Sequence, residues 1–251
     1  MISVVHLGSI DYGSALRLQE HLVELRKQDR IGNVLLLLEH PPVITLGRNA
    51  NNGNIVAPRE FLAGKGVEVF EINRGGDVTF HGPGQLVGYP IFDLRSFPDK
   101  IGVIEFVRRI EEALIRTCIH YEIETQRSKG LTGVWTTSER KIAAIGVHIS
   151  RGVSSHGFAL NVTTDLDYFK LIVPCGLTKP VTSIEFETGK HPSMEEILPI
   201  VTRSFGEVFK SQVLWLDSLE DLLGSAPAPE DTPLRVPDNL RELHGDKTSL
   251  A

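Results

Sequence analysis

The pattern of apolar and polar residues predicts two long amphipathic helices and a series of short strands. Apolar residues recur at helical spacing over 12–30 and 103–121, with charged residues between them. Short apolar runs bounded by turn residues predict strands over 34–38, 43–46, 67–72, 86–94, 131–135, 141–149 and 154–162. Ser193-Met-Glu-Glu196 has the pattern of a capping box and predicts a third helix that ends near Phe209.

The order of these elements predicts the fold class. The last three strands are separated only by turn residues, which is typical of an antiparallel meander. Separate helices accompany them, so we expect an α/β (α+β) fold with a mixed, largely antiparallel sheet flanked by helices. Residues 1–224 form one predicted domain. Residues 225–251 combine Pro with Asp and Glu and have few apolar residues, so they are predicted to be a disordered tail.

Composition argues against several classes of function without excluding a local basic groove. Of 251 residues, 41% are hydrophobic, and the net charge of −6 argues against a nucleic-acid partner. No apolar run reaches the roughly 18 residues that would suggest a membrane span, and the N-terminus does not resemble a signal peptide. The two cysteines are far apart in sequence, which argues against a metal site and fits a reducing compartment. We therefore expect a cytoplasmic protein that contacts no membrane.

The densest unusual segment is a glycine-rich stretch from Arg74 to Tyr89. Glycines let backbone N–H groups approach a ligand, and Arg74 can bind an anion or a carbonyl. His81 and Gln85 add polar groups that can orient a substrate. From composition alone, a tight surface loop between two strands is an equal alternative.

Two residues are candidates for catalysis, one as a nucleophile and the other as its charged or basic partner. Cys175 lies between Pro174 and Gly176, so a sharp turn could project its thiol into a cleft, although most free cysteines are buried and inert. Lys141 begins a strand and could stabilise a thiolate or accept a proton, although most lysines after a turn are simply solvated. Cys118 lies on the apolar face of a helix and is predicted to be buried.

Three histidines remain as other possible partners of Cys175: His81, His148 and His156. His148 lies seven residues after Lys141 on one predicted strand. In a regular strand the two side chains would lie on opposite faces of the sheet.

These segments together resemble the lipoyl(octanoyl) transferase family. That family's signature is Arg-Gly-Gly, two variable residues, Thr, an aromatic residue, His, two residues, Gly-Gln, three residues and Tyr. Its nine fixed positions are filled here by Arg74, Gly75, Gly76, Thr79, Phe80, His81, Gly84, Gln85 and Tyr89. The resemblance extends to Lys141-Ile-Ala-Ala-Ile-Gly, Gly157-Phe-Ala-Leu-Asn-Val and Pro174-Cys-Gly, and it covers about residues 1–215.

The resemblance implies a biotin/lipoate–protein ligase-like fold and an acyltransferase with a Cys/Lys pair. Cys175 would carry the acyl group as a thioester, and Lys141 would support both half-reactions. The implied acyl-binding residues are Arg74, Gly75, Gly76, Asp77, Val78, Thr79, Phe80, His81, Ala144, Ile145, Gly146, Gly157, Phe158 and Ala159.

The resemblance also implies the partners. The donor would be octanoyl-acyl-carrier protein, whose phosphopantetheine arm carries the octanoyl or lipoyl group, and neither ATP nor a metal would be needed. The acceptors would be lipoyl domains of 2-oxoacid dehydrogenases and the glycine-cleavage H protein. Three alternatives stay open: an ATP-dependent lipoate–protein ligase, a non-catalytic acyl-carrier or lipid-binding protein, and a plain cysteine hydrolase.

Overall fold

The computed structural model describes residues 1–50, 52–173 and 179–223. Their strands form two sheets. The strands are β1 (Ile2–Ser9), β2 (Asn33–Glu39), β3 (Val43–Leu46), β4 (Glu68–Glu71), β5 (Val78–His81), β6 (Gln85–Ile91), β7 (Thr125–Gln126), β8 (Val134–Thr136), β9 (Lys141–Ser150), β10 (Val153–Asn161) and β11 (Val213–Leu216). The larger sheet has eight strands in the order β11-β1-β2-β6-β10-β9-β8-β7, and the smaller has three in the order β4-β3-β5.

Both sheets are mixed. In the large sheet β1 runs parallel to β11 and β2, while the other neighbouring strands are antiparallel. In the small sheet β3 is parallel to β4 and antiparallel to β5. The predicted mixed, largely antiparallel sheet is therefore confirmed, as is the meander, which consists of β8, β9 and β10.

Helices cover both faces of the large sheet. The helices of the described residues are α1 (Tyr12–Lys27), α2 (Arg59–Gly64), α3 (Val103–His120), α4 (Ile184–Thr188), α5 (Met194–Val208) and α6 (Leu219–Leu223), of which α2 packs on the small sheet. On one face α3 and α5 pack against Leu35, Ile142 and Phe158, and on the other α1 packs against Leu36 and Val87. A third apolar cluster lies under the small sheet. No helix in the described part of the chain is long and apolar enough to cross a bilayer.

Local sequence explains where two of the three predicted helices begin. Asp11 caps α1 by accepting a hydrogen bond from the Ser14 amide at 2.8 Å. The predicted capping box at α5 is present, because the Ser193 amide donates to Glu196 at 2.7 Å and the Glu196 amide donates back at 3.3 Å. The predicted tail lies outside the described residues.

Candidate active site

A cavity of about 380 Å³ lies where the large sheet, the small sheet and the start of α1 meet. The residues of the predicted site that line it are Lys141, Arg74, Gly76, Asp77, Val78, Thr79, His81, Ala144, Ile145, Gly146, Gly157, Phe158 and Ala159. They come from the loop before β5, from β5 itself, from the first half of β9 and from the second half of β10. The fold thus brings together three segments that are far apart in sequence.

Cys175 lies outside the described residues, so its position is not part of this geometry. Ile172 and Val181, which precede and follow it in the chain, both line the cavity. The other cysteine, Cys118, is fully buried among the side chains under α3, as predicted. Burial raises the pKa of the Cys118 thiol to about 12, which makes it a poor nucleophile at neutral pH.

A β-bulge places Lys141 at the cavity. Val134 of β8 pairs with Ala143, but the next residue, Trp135, pairs with Lys141, so Ile142 is an extra residue in β9. Ile142 and Ala143 both enter the core. Lys141 consequently lies on the same face of the sheet as Trp135, and its Nζ is 4.6 Å from the centre of the indole ring.

The bulge also corrects the expected position of His148. From Ala143 onward β9 pairs regularly with β10, and Ala144 and Gly146 face the cavity. His148 shares their alternation and therefore lies on the same face of the sheet as Lys141. The expectation of opposite faces applied to a regular strand, and the bulge at Ile142 removes that condition.

The surroundings of Lys141 disfavour its charged form. Burial is the main cause of its lowered pKa, the Arg74 guanidinium lowers that pKa further, and the Asp77 carboxylate opposes both effects. A lysine whose pKa moves toward neutrality can act as a proton acceptor. The interpretation of Lys141 as a simply solvated residue does not fit this half-buried position.

The Arg74 guanidinium is buried and bonded to the protein, so it is less available to a ligand than the sequence suggested. Nη2 donates to the Thr45 carbonyl at 2.8 Å and to its hydroxyl at 2.9 Å, and Nη1 donates to the Gly75 carbonyl at 3.0 Å. Burial lowers the pKa of Arg74. Arg74 therefore anchors the glycine-rich loop to β3 and adds a positive charge beside the cavity.

Two residues of the predicted acyl site do not line the cavity. Gly75 turns toward β9, where its amide donates to the Val147 carbonyl at 3.0 Å, and a Cβ on Gly146 would lie 2.6 Å from the Gly75 oxygen. Gly75 thus serves close packing of loop and strand. Phe80 points to the opposite face of β5 and stacks on Tyr168, with 4.6 Å between ring centres.

A buried hydrogen-bond chain fixes the tautomer of His81. The Gln85 amide nitrogen donates to Asn161 at 2.9 Å and to the Phe80 carbonyl at 3.1 Å, so its oxygen is an acceptor. His81 Nδ1 lies 2.7 Å from that oxygen and must carry the proton. Burial lowers the pKa of His81 to about 3, so the ring is neutral and Nε2 carries a lone pair.

A second buried hydrogen-bond chain fixes the tautomer of His40 in the same way. His40 Nδ1 lies 2.7 Å from the Ile10 carbonyl, which can only accept, so His40 Nε2 accepts the Tyr89 hydroxyl hydrogen at 2.7 Å. Tyr12, at the start of α1, lies against both His40 and His81. One wall of the cavity therefore consists of neutral, mutually oriented polar side chains, while small residues of β9 and β10 form an apolar wall.

Sequence reasoning missed Tyr12, His40 and Asn161. Tyr12 and His40 are isolated residues at the ends of elements, and only tertiary contacts bring them to Tyr89 and His81. A signal for Asn161 was present, because it belongs to the quoted segment that starts at Gly157. Its amide nitrogen donates to the Thr182 carbonyl at 2.8 Å, which links β10 to the chain that follows Cys175.

The whole chain matches known proteins. The model of the lipoyl protein ligase A/B catalytic domain family matches residues 11–206. An octanoyltransferase of Koribacter versatilis is 65% identical over 253 residues, and the alignment covers 100% of both chains. An octanoyltransferase of Acidobacterium capsulatum is 58% identical over 236 residues, and the alignment covers 89% of this chain and 96% of the relative. The chain belongs to the octanoyltransferase family. The predicted resemblance is confirmed, and the protein is an acyltransferase.

Solved structures show the fold of the chain by similarity. The putative lipoate protein ligase from T. acidophilum with bound lipoic acid superimposes with a TM-score of 0.66, covering 86% of this chain and 89% of that one. Its sequence is only 14% identical, so the likeness shows a lipoate–protein ligase fold and no more. Within the described residues of this octanoyltransferase, no group of three or more His, Cys, Asp or Glu is placed to hold a metal ion.

Proposed function

We propose that this protein moves an octanoyl group from acyl-carrier protein to a lysine of a lipoyl domain through a thioester on Cys175. The observation that carries the proposal is the 65% identity to an octanoyltransferase along the entire chain. The cavity is consistent with it: its size is ordinary for a small-molecule site, and its apolar wall suits an aliphatic chain. A lipoyl group would use the same site.

In the first half-reaction the Cys175 thiolate attacks the thioester carbonyl of the carrier-bound octanoyl group. The new C–S bond replaces the old one, and the phosphopantetheine sulfur leaves as a thiolate that takes a proton from charged Lys141, which becomes neutral. One thioester replaces another, so the step is nearly balanced in free energy and needs no ATP. Charged Lys141 would favour the Cys175 thiolate by attraction.

In the second half-reaction the amine of the acceptor lysine attacks the acyl-enzyme. A C–N bond forms, the C–S bond breaks, and the amine must lose a proton. Lys141 in its neutral form would accept that proton, and the lowering of its pKa by burial makes this form accessible. The apolar wall formed by β9 and β10 would hold the acyl chain, and the neutral wall around His81 would add no charge beside it.

The proposal includes the expected partners. The donor is octanoyl-acyl-carrier protein, and the acceptors are lipoyl domains of 2-oxoacid dehydrogenases and the glycine-cleavage H protein. No cofactor is required, because the donor arrives as a thioester. A cytoplasmic location remains a prediction from the scarcity of cysteines.

Intact mass spectrometry tests the covalent step. The protein is incubated with octanoyl-acyl-carrier protein in the absence of ATP, and we expect the gain of one octanoyl group that hydroxylamine removes. Peptide mapping should place the group on Cys175. Cys118→Ala is the matched control, because Cys118 is fully buried and that variant should still be acylated.

A second incubation separates the proposal from the ligase alternative. The isolated acyl-enzyme should pass its octanoyl group to an added lipoyl domain without ATP. If Cys175→Ala retains full transfer, or if transfer requires ATP and free octanoate, the cysteine mechanism is refuted.

A further inference from the structure

Trp135 is a buried indole with two lysine ammonium groups over its ring. Only 2% of the residue is exposed. Lys141 Nζ is 4.6 Å from the ring centre and Lys179 Nζ is 5.4 Å from it. The indole Nε1 has no hydrogen-bond partner within the described ranges, so packing and the two cation–π contacts hold the ring.

The two lysines belong to separate parts of the chain. Lys141 begins β9, whereas Lys179 follows the segment 174–178, which contains Cys175. Backbone hydrogen bonds connect the same two parts: the Lys141 amide donates to the Pro180 carbonyl, and the Thr182 amide donates to the Lys141 carbonyl, each at 2.9 Å. The indole ring therefore lies where the strand of Lys141 meets the chain that leaves Cys175.

We propose that Trp135 is a positioning residue whose indole ring holds the Lys141 ammonium at the cavity and fixes it relative to the segment that follows Cys175. The β-bulge at Ile142 is what makes this contact possible, because it gives Trp135 and Lys141 paired positions on one face of the sheet. The inference deepens the proposed function and rests on it to the extent that Lys141 and Cys175 act together.

The ring also contributes to the charge state of Lys141. A π face attracts an ammonium and so favours the charged form, which opposes the effect of burial. Lys179 is a second cation at the same ring and acts in the other direction, although Glu139 lies 3.1 Å from its Nζ. Among the described residues, Arg74 and Asp77 also influence the pKa of Lys141, which the first lowers and the second raises.

The pKa of Lys141 can be measured without any enzymatic turnover. Trace labelling with acetic anhydride over a range of pH, followed by mass spectrometry of the peptide that contains Lys141, reports the titration of that one amine. Replacing the ring in Trp135→Leu should lower the pKa of Lys141 by roughly one unit. Trp135→Phe, which keeps a π face, should lower it less, and Lys179→Ala should raise it.

The other tryptophan provides a matched control. Trp215 lies on β11, an edge strand of the large sheet that four strands separate from β9, and it is 43% exposed. Trp215→Leu should leave the Lys141 titration unchanged. Thermal unfolding of each variant shows whether the fold is retained.

The inference is overturned if Lys141 titrates in Trp135→Leu and Lys179→Ala as it does in the wild-type protein. If Trp135→Leu does not fold, the test uses Trp135→Phe and Lys179→Ala instead. An unchanged Lys141 titration in both of these variants again refutes the inference. Failure of the proposed function looks different: the pKa of Lys141 would move as expected while the wild-type protein gained no octanoyl group from acyl-carrier protein.

Discussion

Mild acid should destabilise this protein because three histidines near the cavity are buried in their neutral form. Burial lowers the pKa of His40 to about 4 and the pKa values of His81 and His156 to about 3. In the unfolded chain each would titrate near 6.5. Below that pH the unfolded chain binds protons that the folded protein excludes. The stability contribution of these histidines is therefore complete above pH 6.5 and is lost as the pH falls.

The magnitude depends mainly on the unfolded chain. Between pH 7 and pH 5 each unfolded histidine gains most of one proton, while the folded rings stay largely neutral. Linkage then converts this difference into about 2 kcal/mol of stability lost per histidine, and about 6 kcal/mol for all three. The free energy of unfolding of native proteins is roughly 5–15 kcal/mol, so the loss is a large fraction of the total stability.

Urea titrations at pH 7, 6 and 5 measure the effect. The free energy of unfolding should fall steeply over this range with little change in its urea dependence. His40→Gln removes one buried titrating ring, so the loss between pH 7 and pH 5 should shrink by about a third, whatever the variant costs at pH 7. His120, which is exposed at the end of α3, supplies the control, and His120→Gln should retain nearly the full loss. A wild-type loss below about 1 kcal/mol would refute the conclusion that these rings are buried neutral.

Four further predictions concern the site and the tail. Lys141→Met should slow both the acylation of Cys175 and the transfer to the lipoyl domain. Lys141→Arg keeps the positive charge but is not a base, so it should be acylated faster than Lys141→Met and show the same defect in transfer. Single-turnover rates of the two half-reactions measure these effects. Gly146→Val should lower acylation at least tenfold in a folded protein, because its Cβ would lie 2.6 Å from the Gly75 oxygen and displace the glycine-rich loop; acylation rate and thermal unfolding measure both effects. Gln85→Leu should cost about 3 kcal/mol in urea unfolding, because it leaves His81 and Asn161 without their buried partner. Truncation after Gly224 should change the unfolding temperature and transfer rate little, because that segment has few apolar residues.

The sequence by itself determined the larger elements. The helical spacing over 12–30 and 103–121 corresponds to α1 and α3, and the apolar runs correspond to β2, β3 and the meander. These are local signals, since one buried face repeats every 3.6 or 2 residues. The sequence did not reveal β1, β5 or β11. In β5 the four residues are part of the glycine-rich segment, which reads as a loop until β3 pairs with it.

The sequence also determined which family the chain belongs to, because the nine fixed positions of the signature are contiguous enough to be recognised without a structure. It named most of the residues that line the cavity. It could not say that Gly75 and Phe80 face away from that cavity, because the direction of a side chain depends on strand register. A wrong direction for one residue changes its role from ligand contact to packing.

Only the tertiary structure decided the geometry around Lys141. One extra residue in β9 moves its side chain to the cavity, next to Trp135 and on the same face as His148. The neutral state of His40 and His81 likewise arises from burial by segments that are distant in sequence. A bulge and a burial free energy are properties of the pairing between distant segments, and no local pattern of residues encodes them.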